Sequence, residues 1–467
     1  MTRSTPFDLA VIGAGSGGMA AARRAAEAGL SVVVFEGTHV GGTCVNAGCV
    51  PKKLLVHAAR MSDAAAEMRQ LGWRHDGVTF DWPALRDAVI GEVDRLSGFH
   101  ADRLRKAGIA LVQSAARPIG PDAVCTGDSD IFRTNAILIA TGARPMIPDL
   151  PGAEHCITSD DLFTLTALPE RMAIVGGGYI AVEFACMLAR FGVDVTILER
   201  GDRLIKPFDA EVSGLLLDAM RKQGITVRLG ASVDAVDRNA EGLRLDGEGT
   251  GDDAYGEVLM AVGRAPNTDA LHLGTVGIET TERGHIVVDD DGRTSVPSIR
   301  AVGDVCEPIA LTPVAVRGAR RVVDLLTGED DPLPRPDLVP TAAFTTPECA
   351  SVGLTADEAR DQGHDVVERR TSFRPLAALV SGSDMDVFMK AVVARGDGRL
   401  LGFHFFGPHA SEAAQLGAMA LHAGLTANEL HLTMPLHPSI AEEMIGLGMA
   451  DEPLHQRVED DAAAKAA

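Results

Sequence analysis

The chain has 467 residues, 46% of them apolar, and a formal charge of −22 at neutral pH. That length holds roughly two to four domains, and the acidity, with lysines and arginines dispersed rather than striped, excludes nucleic acid and an anionic membrane as partners. Seven cysteines are too few for a disulfide scaffold, and the odd number points to a reducing, cytoplasmic compartment.

The first residues, MTRSTPFDLAVIGAG, enter an apolar strand at residue 7 and leave no room for a secretory leader. No apolar run is long enough for a membrane span. FDLAVIGAGSGGMAAARRAAEAGLSVVVFEG, residues 7–37, reads as strand, glycine turn, alanine-rich helix and strand. Gly13, Gly15 and Gly18 form G-x-G-x-x-G between the first strand and the helix. The first glycine allows the tight turn, the second lets backbone amides approach a pyrophosphate, and the third lets the helix pack on the strand. Glu36 ends the next strand, where an acid accepts hydrogen bonds from a ribose diol.

GGTCVNAGCVPKK, residues 41–53, carries Cys44 and Cys49 with four residues between them. The spacing alone leaves a redox pair and two buried, inert thiols both open. A metal site is not expected, because the other cysteines are scattered singly and no Cys-x-x-Cys occurs. AILIATGARPMIP, residues 136–148, reads as a buried strand, a turn and an exit into a second domain.

RMAIVGGGYIAVEFACMLARFGVDVTILER, residues 171–200, repeats the strand–turn–helix–strand pattern with Gly176, Gly178, Ala181 and a terminal Glu199. Two copies imply two dinucleotides. LMAVGRAPNT, residues 259–268, reads as the crossing back, and IRAVGDVC, residues 299–306, as a strand ending at Asp304 beside the first nucleotide. Beyond the proline-rich DPLPRPDLVPT, residues 331–341, strands alternate with two helices in a third domain that lacks a glycine motif. The fold class expected is α/β, with two Rossmann-like dinucleotide-binding domains and a C-terminal α+β domain.

These motifs together resemble the FAD-containing pyridine nucleotide–disulfide oxidoreductases, and among them the glutathione reductases, over nearly the whole chain. GGTCVNAGCVPKK matches that family's redox-active disulfide motif at every fixed position. The resemblance implies that Cys44 and Cys49 form the working disulfide, with Cys49 the thiolate on the flavin side and Cys44 the more exposed thiol that attacks substrate. It also implies that Lys52 sits by the flavin with Glu183 as its ion-pair partner, and that Tyr179 gates the nicotinamide pocket. His437 and Glu442, in MPLHPSIAEEM, match the family's acid–base histidine and its orienting acid, contributed by the other subunit of an obligate homodimer.

By the same resemblance, FAD falls to Gly13, Gly15, Gly18, Glu36, Thr43, Thr141, Gly142, Asp304 and Thr312. NAD(P)H falls to Gly176, Gly178, Ala181, Glu199, Arg200, Lys206 and Arg264. The implied parts are a FAD-binding domain (1–147), an NAD(P)H-binding domain (148–265), a return to the FAD-binding part (266–335), a dimerisation domain (336–455) and a flexible tail (456–467). Ser16, Arg23 and Arg320 match glutathione contacts, an arginine fork suiting a carboxylate.

The function implied is NAD(P)H-dependent reduction of a small disulfide, glutathione disulfide first. Dihydrolipoamide dehydrogenase, a reductase of a modified glutathione or similar thiol, and a non-catalytic FAD-binding subunit are the alternatives. No cysteine follows Cys349, so a C-terminal thiol relay is absent. His100 stands where many relatives place a tyrosine on glutathione. The basic pair Arg200 and Lys206 favours NADPH, whereas Glu199 occupies the position of an acid that favours NADH.

Overall fold

The computed structural model describes residues 5–449, apart from 69, 75–76, 307–308 and 331–335. The expected tail at 456–467 and part of the proline-rich segment lie outside the described residues.

The first sheet has seven strands: five run parallel, in the spatial order Ala110–Val112, Val32–Phe35, Phe7–Ile12, Ile131–Ile139 and Ile299–Ala301, and Ala123–Thr126 and Ala116–Gly120 extend it antiparallel from Ile131–Ile139. The middle strand pairs Leu9 with both Val32 and Ala136. Val32–Phe35 is buried throughout, the continuous apolar run expected of a parallel strand covered on both faces. Its cover on one side is the helix Ser16–Glu27, whose Ala21, Ala22 and Ala25 share a core with Ala319, Val322 and Val323 of the helix Thr312–Thr327. The last strand, Ile299–Ala301, returns the chain to this sheet after an excursion of about 160 residues, from Ile139 to Ile299, through the second one.

That second sheet is also parallel, in the order Thr226–Leu229, Asp194–Glu199, Arg171–Val175, Glu257–Met260. Ala181 through Leu188 of the helix Tyr179–Arg190 are all buried against it and its neighbours. The two chain crossings between the sheets pair with each other: Ala143–Pro145 runs antiparallel to Arg264–Pro266.

The third sheet is antiparallel, in the order Thr341–Ala343, Glu348–Gly353, Leu400–Gly407, Val387–Ala394, Val366–Phe373. The expectation of two helices here is corrected: the described residues beyond 341 contain Ala356–Asp361, Leu376–Ser381, Ala410–His422, Ala427–His431 and Glu442–Gly446. Only Ala410–His422 is long enough to show a helical repeat. Two of the short ones are set by capping boxes, Thr355 with Glu358 and Thr426 with Glu429, which fix a turn without leaving a periodic apolar face.

Candidate active site

Both glycine turns open on one cleft of about 1280 Å³. Gly13 adopts φ +101°, and a Cβ on Gly18 would run into the Gly13 carbonyl oxygen, so the turn and the close helix–strand approach both require glycine. The second turn repeats this: Gly176 has φ +116°, and its Cβ would strike the Ala261 carbonyl. Ala181, in the third position, is fully buried.

The helices that follow start at Gly15 and Gly178, and neither N-terminus receives a side-chain cap. Their first-turn amides are therefore left to whatever occupies the cleft. A Cβ on Gly42 would come within 2.7 Å of Gly15 Cα, so two bare backbones flank the first helix start. Glu36, 8% exposed, accepts from the Ala14 amide at 2.8 Å and from the Thr38 amide at 2.8 Å. These features fit the pyrophosphate and ribose of a dinucleotide.

Cys44 and Cys49 line the cleft together with Ser16, Thr43, Lys52, Thr141, Gly142, Tyr179, Glu183, Arg264, Asp304 and Thr312. Cys49 Sγ lies 3.9 Å from Thr312 Oγ1. The hydrogen bond from Cys44 is the main cause that brings the Cys49 thiol down to about 6, with help from Thr312 and the Lys52 charge. The same bond, with burial, pushes Cys44 far up, so the two thiols titrate as a coupled pair. In the polypeptide Cys49 is exposed on the cleft and Cys44 is half-buried. Cys49 opens its helix on the cleft wall, whereas Cys44 is tucked towards the Ser16 hydroxyl.

Lys52 Nζ lies 2.8 Å from Glu183 Oε1, and the same oxygen accepts from the Phe344 amide at 2.7 Å. Lys52 and Lys53 also sit 4.4 and 3.5 Å from the centre of the Phe344 ring. Phe344 carries no recognisable motif, and its position 161 residues beyond Glu183 hid it from the sequence. Arg264 donates to the Ala143 carbonyl and reaches Thr43 Oγ1 at 3.4 Å. Burial raises Asp304 and Asp160 above the ordinary carboxylate range, with Arg264 opposing. Asp160 also lines the cleft and was not singled out from the sequence. Thr141 and Asn267 exchange hydrogen bonds across the crossing, at 2.9 and 3.0 Å.

Other expected residues lie elsewhere. Glu199 folds back so that Oε1 accepts from the Gly201 amide at 2.6 Å, while Arg200 and Lys206 are exposed with no ion-pair partner among the described residues. Arg23 is exposed and 3.9 Å from Glu27; Arg320 is exposed; neither lines the cleft. His100 is half-buried, and burial with the nearby Arg103 and Arg23 charges lowers its pKa. His437 Nδ1 lies 3.0 Å from Glu442 Oε2, yet His437 is 80% exposed and does not line the cleft of its own chain.

Two nucleotide-fitting turns sharing a cleft with a close pair of cysteines define a nucleotide-linked disulfide oxidoreductase. The chain belongs to the pyridine nucleotide–disulphide oxidoreductase family: the family matches residues 7–319, and its dimerisation domain matches residues 339–446. It is 41% identical to the glutathione reductase of Burkholderia cepacia, covering 94% of this chain and 98% of that protein. It is 37% identical to the glutathione reductase of Nostoc sp., with the same coverage of 94% and 98%. Identity to the dihydrolipoyl dehydrogenase of Geobacillus stearothermophilus is 33%, over 92% of this chain and 93% of that one. The cofactors of the family are FAD and NADPH. No helix among the described residues is long and apolar enough to cross a membrane.

Proposed function

We propose that the protein reduces glutathione disulfide to two glutathione thiols at the expense of NADPH, as a homodimer whose two active sites each draw on both subunits. The observation that carries this is the placement of Cys44 and Cys49 together on the wall of the cleft that both glycine turns share, beside Lys52 and Thr312. FAD supplies the means of passing two electrons from NADPH to that pair. Gly13, Gly15, Gly18, Glu36 and the amides that start the Ser16–Glu27 helix would hold it, with Thr43, Thr141, Gly142, Asp304 and Thr312 around it. Gly176, Gly178, Ala181, Arg264, Arg200 and Lys206 would serve the coenzyme, the last two on its 2′-phosphate, and Tyr179 would cover the nicotinamide pocket.

In the dithiol state Cys49 is the thiolate and Cys44 keeps its proton. Cys44 therefore needs a base, and His437 of the partner subunit, oriented by its Glu442, suits that task. The Cys44 thiolate attacks one sulfur of the substrate disulfide, forming a mixed disulfide and expelling one glutathione thiolate. The imidazolium returns its proton to that leaving thiolate. Cys49 then attacks the Cys44 sulfur, the Cys44–Cys49 bond forms and the second glutathione leaves as a thiolate that takes its proton from solvent. Two electrons have passed from the dithiol to the substrate, and Lys52, held by Glu183, keeps a positive charge beside the reacting thiolate.

The homodimer is supported by the match to the dimerisation domain and by Leu432, Met434 and Leu436, which are 73, 89 and 78% exposed on the segment leading to His437. Ser16, Arg23 and Arg320 are assigned to glutathione, and His100 to the place of the stacking aromatic. A cytoplasmic setting agrees with cysteines that form no structural disulfide among the described residues. Replacing Cys44 with Ala tests the proposal: disulfide turnover is lost while FAD stays bound, and retained turnover contradicts it.

A further inference from the structure

The loop between Glu199 and Asp209 carries Arg200 and Lys206 and contains a strained residue, Ile205, at φ +39°. A β-branched side chain in the left-handed region persists only where its surroundings over-determine it. The local bonds are plain: the Ile205 amide donates to the Gly177 carbonyl at 2.7 Å, and the Phe208 amide to the Ile205 carbonyl at 2.8 Å. Ser213 Oγ donates to the Leu204 carbonyl at 2.7 Å. The loop is thus tied at one end to the second glycine turn.

Its other end is tied to the third sheet. Asp209 caps the helix Ala210–Lys222, donating nothing and accepting the Glu211 amide at 3.0 Å through Oδ1. Its Oδ2 lies 2.8 Å from Lys390 Nζ, and the two side chains are only 5 and 4% exposed. Lys390 stands in the strand Val387–Ala394 and also meets Glu368 at 2.8 Å and Glu211 at 3.1 Å. Arg370 closes the cluster on Glu211 at 2.6 Å and on Glu368 at 2.5 Å, and Arg360 binds Glu368 as well. Three cations and three carboxylates therefore interlock at the foot of the coenzyme loop. The cationic Lys390 is the member that the buried Asp209 carboxylate depends on. None of these residues lines the cleft, whereas Ile205, Pro207 and Phe208 do.

We propose that Lys390 is a positioning residue for the coenzyme: acting through Asp209, it holds the Ile205 turn and so fixes Arg200 and Lys206 where a 2′-phosphate is bound. The C-terminal sheet thereby sets coenzyme selectivity in the preceding nucleotide-binding region. This rests on the reading that Arg200 and Lys206 take the 2′-phosphate.

The test is steady-state kinetics of the FAD-loaded full chain with NADPH and, separately, NADH as donors and glutathione disulfide as acceptor. Lys390→Met raises KM for NADPH about tenfold, the loss of ground-state binding, and leaves KM for NADH, KM for the disulfide and kcat within about twofold; Lys390→Arg restores most of the NADPH affinity. Asp209→Asn, which keeps the cap acceptor and removes the charge, gives the same split and answers the question if Lys390→Met does not accumulate as yellow protein. Unchanged KM for NADPH, or equal rises for both donors, overturns the proposal. Arg200→Ala is the control: if it leaves KM for NADPH unaltered, the phosphate reading itself falls and the inference with it. If it responds while Lys390→Met and Asp209→Asn do not, only the inference falls.

Discussion

Lys52, on the helix Cys49–Met68, and Glu183, on the helix Tyr179–Arg190, meet at 2.8 Å with side chains 15 and 3% exposed. A buried carboxylate with a cation and a backbone amide on one oxygen loses heavily when either partner goes. Glu183→Ala leaves the Lys52 ammonium half-enclosed and unpaired, and costs about 3–5 kcal/mol of stability. Chemical denaturation of the FAD-loaded variant measures it. Flavin reduction by NADPH in the same variant slows as the ammonium loses its anchor.

The Cys49 thiol, held at about 6 chiefly by the hydrogen bond from Cys44, sets a pH dependence. The sign follows from which form is favoured: the folded protein lowers the pKa, so the thiolate is stabilised. It is present above pH 6 and lost as the pH falls through 6. Alkylation of the reduced enzyme, read by which cysteine is modified as a function of pH, shows a thiolate titrating there. Cys44→Ala removes the largest cause and moves the Cys49 titration up towards the ordinary thiol value. A profile unmoved by that substitution contradicts the assignment of the cause.

The two glycine turns separate fold from binding. Gly18→Ala drives a methyl into the Gly13 carbonyl, and the yellow holoprotein is lost. Gly178→Ala meets nothing within 4 Å, so that variant folds with FAD bound. Its methyl instead stands where coenzyme backbone contacts form, and KM for NADPH rises. Flavin content and KM for the pair give the two outcomes directly.

His437 and Glu442 act together. Replacing His437 with Ala lowers disulfide turnover about 10²–10⁴-fold, the scale of general acid–base catalysis. Anaerobic reduction of the flavin by NADPH stays intact, since the role proposed for His437 lies with Cys44 and the leaving thiol, after the flavin has been reduced. Glu442→Gln gives a smaller loss, because a carboxamide oxygen can still accept from Nδ1 and orient the ring.

Much of this architecture was legible because it is written in short, local patterns. Gly13, Gly18 and Gly176 meet carbonyl oxygens that leave no room for a Cβ, and that demand appears in the sequence as spacing. Cys44, Cys49, His437 and Glu442 likewise sit in compact motifs. The relations that escaped are those that join distant elements. Phe344 reaches Glu183 through a backbone amide, which any residue could supply, and Asp209 meets Lys390 across 181 residues with no motif on either side. The short capped helices of the third sheet were missed because five or six residues carry no apolar repeat.

The central claim is that electrons leave NADPH for a small disulfide through Cys44 and Cys49. The most direct measurement is NADPH oxidation by the purified yellow protein with glutathione disulfide, with lipoamide, and with no acceptor, run beside the Cys44→Ala variant. Rapid oxidation with glutathione disulfide, abolished in the variant while its flavin is still reduced by NADPH, is the predicted result. Turnover that survives the loss of Cys44, or that proceeds with lipoamide and not with glutathione disulfide, would contradict it.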